Sequence, residues 1–147
     1  MTQEDKELLL KDLCARLHYG VKCNVPYLKD IRALACIQYD AENTLFDFWD
    51  NNESYCRLQL FLSEFKPYLL PLSSMTEEQY DEMEKIITDD YLENIQITKE
   101  MREKVDFITH FPIYCPNVID WFNKNHFDYR GLIEKGLALD ATGLGIY

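Results

Sequence analysis

The sequence predicts an α+β fold: an N-terminal helix, an antiparallel meander of three to four strands, then a mainly helical C-terminal half. Three observations carry that expectation. Leucines recur at helical spacing near the start, and apolar and polar residues then alternate between Val21 and Leu60. After Met75, helical spacing returns together with residues suited to capping helix ends. At 147 residues, 47% of them hydrophobic, one domain spanning 1–147 is expected, with enough apolar side chain to fill a core.

Thr2 and Asp5 have capping-box spacing, in which a hydroxyl and a carboxylate satisfy the free N–H groups of a helix start. Leu9, Leu10, Leu13 and Leu17 follow as an apolar stripe, and Gly20 suits the left-handed residue that ends a helix, so a helix over 3–18 is predicted. The period then drops to two. Val21, Cys23 and Val25 alternate with Lys22 and Asn24, and Pro26 closes this strand. Ile31, Ala33, Ala35, Ile37 and Tyr39 are expected on one face of a longer strand. Turns are predicted at 40–43 and 50–53, where Asn and Asp tolerate left-handed backbone. Between and after them lie strands at 44–49 and around Cys56, Leu58 and Leu60. Such a meander needs an apolar cover on one face, and the first helix is the candidate.

Pro67 and Pro71 suggest an irregular link over 66–75. Thr76 with Gln79 repeats the capping box, and Tyr80, Met83, Ile86 and Ile87 predict a helix near 77–88. A short strand at 93–97 and a helix carrying Met101, Val105 and Ile108 are expected next. Pro116 suits the first turn of a helix over 117–125 with Val118, Ile119 and Phe122 inward. Asp128 is expected to cap one further helical turn that Gly136 ends.

The formal net charge is −11, which disfavours direct nucleic-acid binding and anionic membranes, because acidic side chains repel phosphate. Between positions 76 and 93 eight acids (Glu77, Glu78, Asp81, Glu82, Glu84, Asp89, Asp90, Glu93) face one base, Lys85. Such a run reads as a solvated helix face or as a surface for a basic partner. No run of about 18 apolar residues is present. The opening residues are acidic and polar, unlike a basic and apolar secretory signal, so a cytoplasmic setting is expected in whatever cell makes the protein. The five cysteines (Cys14, Cys23, Cys36, Cys56, Cys115) show no metal-ligand spacing. All but Cys115 fall on predicted apolar faces or strands, where a thiol acts as a small buried hydrophobe. His110, Cys115 and His126 match no zinc pattern, so neither metal nor cofactor is expected.

Familiar catalytic signatures are absent as well. The five glycines build no phosphate loop, and neither a nucleophile elbow nor a His-Glu-x-x-His helix occurs. No catalytic residue is assigned. The densest candidate is the segment 121–130, where Trp121, His126, Asp128, Tyr129 and Arg130 combine large contact area with polar tips, the mixture that dominates interfaces. The competing reading makes Trp121, Phe122 and Phe127 core, with Asp128 and Arg130 fixing a turn. Glu77, Glu78, Asp81 and Glu82 form the second candidate surface.

Two stretches carry a resemblance. Lys66-Pro67-Tyr68-Leu69-Leu70-Pro71-Leu72-Ser73-Ser74-Met75-Thr76-Glu77-Glu78 and Asp120-Trp121-Phe122-Asn123-Lys124-Asn125-His126-Phe127-Asp128-Tyr129-Arg130-Gly131-Leu132-Ile133-Glu134-Lys135-Gly136-Leu137-Ala138-Leu139 resemble a family of small uncharacterised proteins of gut Bacteroidales genomes, prophages and mobile elements. Residues 1–17 and Gly20-Val21-Lys22 are similar too, so about half the chain is covered, while 26–61 matches no pattern of the family. The resemblance implies an intracellular accessory role and no particular reaction.

The functional expectation is therefore a small acidic accessory protein of phage or mobile-element type that binds a protein with a basic surface and inhibits a host system. The alternative is a small-ligand binder or hydrolase using 126–130. A homodimer is compatible with the sequence, because a meander edge and the stretch 140–147 both offer unspent surface. The two glycines of that stretch suggest that it orders only against something else.

Overall fold

The computed structural model describes residues 1–39, 44–49, 55–91 and 116–147. The turns expected at 40–43 and 50–53, the strand at 93–97, the helix around Met101 to Ile108, and His110 and Cys115 lie outside them. The fold is α+β, as the sequence predicts, and the elements follow the predicted order. The first helix, α1 (Gln3–Arg16), is capped as expected: the Asp5 amide donates to Thr2 Oγ1 at 3.1 Å, and the Thr2 amide donates to Asp5 Oδ2 at 2.9 Å. One turn of 3₁₀ helix (Leu17–Tyr19) follows, and Gly20 at φ +69 turns the chain away.

Strands β1 (Lys22–Val25), β2 (Asp30–Tyr39), β3 (Thr44–Trp49) and β4 (Tyr55–Leu60) form the antiparallel meander. The sheet extends beyond it. β5 (Lys66–Leu69) pairs antiparallel with β1, and β6 (Leu139–Asp140) pairs parallel with β5, giving the order β4-β3-β2-β1-β5-β6. The irregular link expected over 66–75 is thus a strand at its start, despite Pro67. The register explains why. Pro67 faces Cys23, and with no N–H to give, this must be a pair without ladder bonds, so proline costs the β1 side nothing. On its other side β6 begins to pair only at Tyr68.

The predicted inward face of β2 also needs correction. Leu34 is buried and Ile31, Ala33 and Ala35 are not, whereas Ile37 does pack on the core. A register shift between Leu34 and Cys36 inserts one residue against β3, which reverses the parity of everything before it. Leu34 opposite Phe48 and Ile37 opposite Phe46 consequently share one face.

Leu9 and Leu13 of α1 join Val21, Cys23, Val25, Leu34, Phe46, Phe48, Phe65, Leu69 and Leu132 in one core, so α1 covers the sheet. Phe65 meets both Phe46 and Phe48 edge-on at 5.0 Å, the favoured geometry for aromatic pairs. Of the described thiols, Cys23 is buried and Cys36 half-buried, but Cys14 is exposed. The buried line of α1 runs through 9, 12, 13 and 16, and position 14 falls outside that arc.

A second core holds the helical part. The helix α2 (Glu77–Tyr91) begins with the predicted reciprocal cap: Thr76 N–H to Gln79 Oε1 at 2.9 Å, Gln79 N–H to Thr76 Oγ1 at 3.3 Å. Its Met83 and Ile87 pack with Val118, Trp121 and Phe122 of α3 (Pro116–Lys124) and with Phe127. Ile119, expected inward, is only half-buried. Beyond α3, the predicted capped turn of helix is instead a run of hydrogen-bonded turns over 129–136.

Candidate functional site

The signature segment begins as a helix ending. After α3, His126 adopts φ +58, a left-handed conformation usually left to glycine. The Phe127 amide donates back to Phe122 O at 3.0 Å and the His126 amide to Asn123 O at 3.3 Å, the two bonds of a Schellman motif. The Phe122 and Phe127 rings meet edge-on at 6.4 Å, the apolar contact that accompanies this cap. The chain then enters the sheet margin. Leu70 donates to His126 O at 2.9 Å and accepts from the Asp128 amide at 2.8 Å.

A buried ion cluster holds that ending in place, and sequence reasoning missed its centre. Asp12 and Arg16 of α1 are both fully buried. Arg16 gives Nε to Asp12 Oδ2 at 2.9 Å and Nη2 to Oδ1 at 3.0 Å, a fork-on-fork pair. Its remaining reach goes to backbone: Nη1 to Phe122 O at 3.2 Å and Nη2 to Phe127 O at 2.7 Å. Phe122 O belongs to the last turn of α3, where the helix leaves carbonyls unpaired and where a cation is favoured. Arg130 closes the cluster, with Nη1 2.6 Å from Asp12 Oδ1. The i,i+4 spacing of Asp12 and Arg16 was the available signal.

The other predicted site residues are committed in the same way. Asp128 accepts the Leu132 amide on Oδ1 at 2.9 Å and the Ile133 amide on Oδ2 at 2.7 Å, which fixes the turn as a cap would. Tyr129 donates its hydroxyl to Asn123 Oδ1 at 3.2 Å and stacks on Phe122, while the Arg130 guanidinium lies 4.4 Å above its ring. Burial raises the Tyr129 phenol above its ordinary pKa. Trp121 is buried, stacked on Phe127 at 5.6 Å, and its Nε1 has no hydrogen-bond partner.

His126 differs from its neighbours. It is 6% exposed, its Nδ1 has no hydrogen-bond partner, and its ring lies 3.8 Å from that of Tyr147 at 15°. Burial, reinforced by the Arg16 charge, lowers its pKa from 6.5 to about 4, against a backbone hydrogen bond at Tyr19 that pulls it up. The imidazole is therefore neutral at pH 7. Tyr147 was absent from the sequence candidates. Its hydroxyl accepts from the Lys22 amide at 2.8 Å and donates to Tyr68 O at 2.8 Å. The stretch 140–147 is thus ordered against its own chain, over a cavity of about 370 Å³ lined by Leu70, Ala141, Gly143, Gly145, Ile146 and Tyr147. Of the residues 121–130, none lines it.

The acidic candidates sit elsewhere. Glu77, Glu78, Asp81 and Glu82 are all exposed on α2, opposite the face that buries Met83 and Ile87. Glu78 is held below the ordinary carboxylate range by hydrogen bonds at the helix start. Among the described residues no group of three His, Cys, Asp or Glu side chains could hold a metal ion, and no helix is long and apolar enough to cross a membrane. Comparison with family models, curated proteins and solved structures finds no match for this chain.

Proposed function

We propose that this protein is an acidic binding module that docks the outer face of α2 on a basic surface of another protein. The observation carrying this reading is how the side chains are spent. Asp128, Tyr129 and Arg130 are consumed in capping, stacking and ion pairing. This weighs against the ligand-binding or hydrolytic alternative, which needs them convergent on an accessible space. Glu77, Glu78, Asp81 and Glu82 instead face outward. Glu77 with Asp81 and Glu78 with Glu82 stand at i,i+4 spacing, which gathers negative charge on one face of α2 and complements a basic surface. The accessory role of phage or mobile-element type, with inhibition of a host system in the cytoplasm, belongs to the same proposal.

The test is affinity capture from bacterial lysate with the wild type and with a variant carrying Glu77→Gln, Glu78→Gln, Asp81→Asn and Glu82→Gln, followed by titration of the purified partner. The proposal expects affinity to fall at least tenfold in the variant and to weaken with salt in the wild type. Equal affinity for both proteins refutes it. Far-UV circular dichroism should match between the two, since all four positions are exposed.

A further inference from the structure

We propose that residues 141–147 form a releasable strap, which Tyr147 fastens across the β1/β5 seam and over His126, and which acid unfastens. The fastening begins at the seam. Cys23 faces Pro67 without ladder bonds, so the next pair, Lys22 with Tyr68, should exchange them. The Tyr147 hydroxyl stands in that rung instead, receiving the Lys22 amide and donating to Tyr68 O. Its departure opens a gap in the ladder rather than merely freeing a side chain.

Little else holds the strap among the described residues. The Ala141 amide is bonded to Leu69 O at 2.8 Å. Past it, Thr142 bonds Asp140 and Leu144 bonds Ala141, both local. Among the hydrogen bonds that 142–147 make to described residues, only those of the Tyr147 hydroxyl reach a distant element. Residues 142–145 are exposed, and Gly143 and Gly145, at φ +75 and +59, supply the hinges.

A buried imidazole lies against the strap. His126 is buried against the Tyr147 ring with Nδ1 unpartnered, so water has much to offer it once the strap lifts. Among the described residues, the charged and titratable groups facing it are Arg16 and Asp12 from α1 and Lys22 from β1, besides the Tyr147 phenol. Arg16 and Lys22 oppose a proton on the imidazole; Asp12 favours one but is already shared by Arg16 and Arg130. With the strap closed the imidazole titrates near pH 4, and lifted it returns toward 6.5. Opening therefore takes up a proton, and its equilibrium should rise as pH falls from about 6.5 to about 4, by up to roughly 300-fold.

Amide hydrogen exchange at Lys22 reads the strap directly, because the Tyr147 hydroxyl is its acceptor. The Leu34 amide, bonded to Val21 O at 2.9 Å inside the core, reports global unfolding. Between pH 7 and pH 4.5 the Lys22 protection factor should fall on the order of 100-fold and stay insensitive to low urea, while Leu34 keeps the full urea slope. His126→Asn, which tolerates left-handed backbone, should abolish the acid loss at Lys22. Tyr147→Phe, which keeps the stacked ring, should lower Lys22 protection already at pH 7. A Lys22 amide sharing the urea slope of Leu34 would overturn the strap, and acid loss persisting in His126→Asn would overturn its trigger.

Discussion

Replacing Asp12 by alanine should cost about 3–5 kcal/mol, the range for breaking a buried ion pair from one side. The structure sets that scale. Asp12 is fully buried and receives Arg16 Nε at 2.9 Å, Arg16 Nη2 at 3.0 Å and Arg130 Nη1 at 2.6 Å. Without it, Arg16 stays buried with its charge uncompensated and only Phe122 O and Phe127 O as acceptors. A domain of ordinary stability has about 5–15 kcal/mol in all, so the loss is a large share, equivalent to roughly 10 °C in Tm. Urea unfolding should show a lower midpoint with an unchanged slope. The double variant Asp12→Leu with Arg16→Met removes both charges and keeps apolar volume, so it should be less damaged than Asp12→Ala alone. The coupling energy should then exceed about 1.5 kcal/mol. A cost for Asp12→Ala under about 1 kcal/mol, or costs that simply add in the double variant, would refute the lock.

Two further outcomes rest on the same segment. Asp128→Ala should lose about 1–3 kcal/mol, because the Leu132 and Ile133 amides lose their acceptors, and Asp128→Asn should lose less; equilibrium unfolding measures both. His126 has a folded pKa of about 4 against an ordinary 6.5, so its contribution is complete above about pH 6.5 and gone once pH falls through about 4. Stability profiles of the wild type and His126→Asn should therefore diverge over that window by up to about 3 kcal/mol, and parallel profiles would contradict the neutral buried imidazole.

Much of the fold is legible in the residues because it rests on local chemistry. The Thr2–Asp5 and Thr76–Gln79 boxes, the Gly20 stop and the Pro116 start are each decided within a few residues, and the structure places them as read. The face of β2 was not legible, since a single inserted residue opposite β3 reverses side-chain parity and leaves no local mark. Pro67 misled for a related reason: whether its missing N–H matters depends on which side the neighbouring strand lies. Cys14 was misplaced because the buried arc of α1 is set by what covers it.

The candidate site divides along the same line. The sequence by itself determined that 121–130 is chemically dense, that Glu77, Glu78, Asp81 and Glu82 lie off the apolar stripe of their helix, and that known catalytic motifs are missing. Only the tertiary structure decided what that density is for. Asp12 and Arg130 stand 118 positions apart and Tyr147 and Lys22 stand 125 apart. Neither pair has a periodicity to betray it. An ion pair or a hydroxyl in a strand seam depends on distance and exclusion of water, and both exist only once α1, the sheet and α3 have closed on one another.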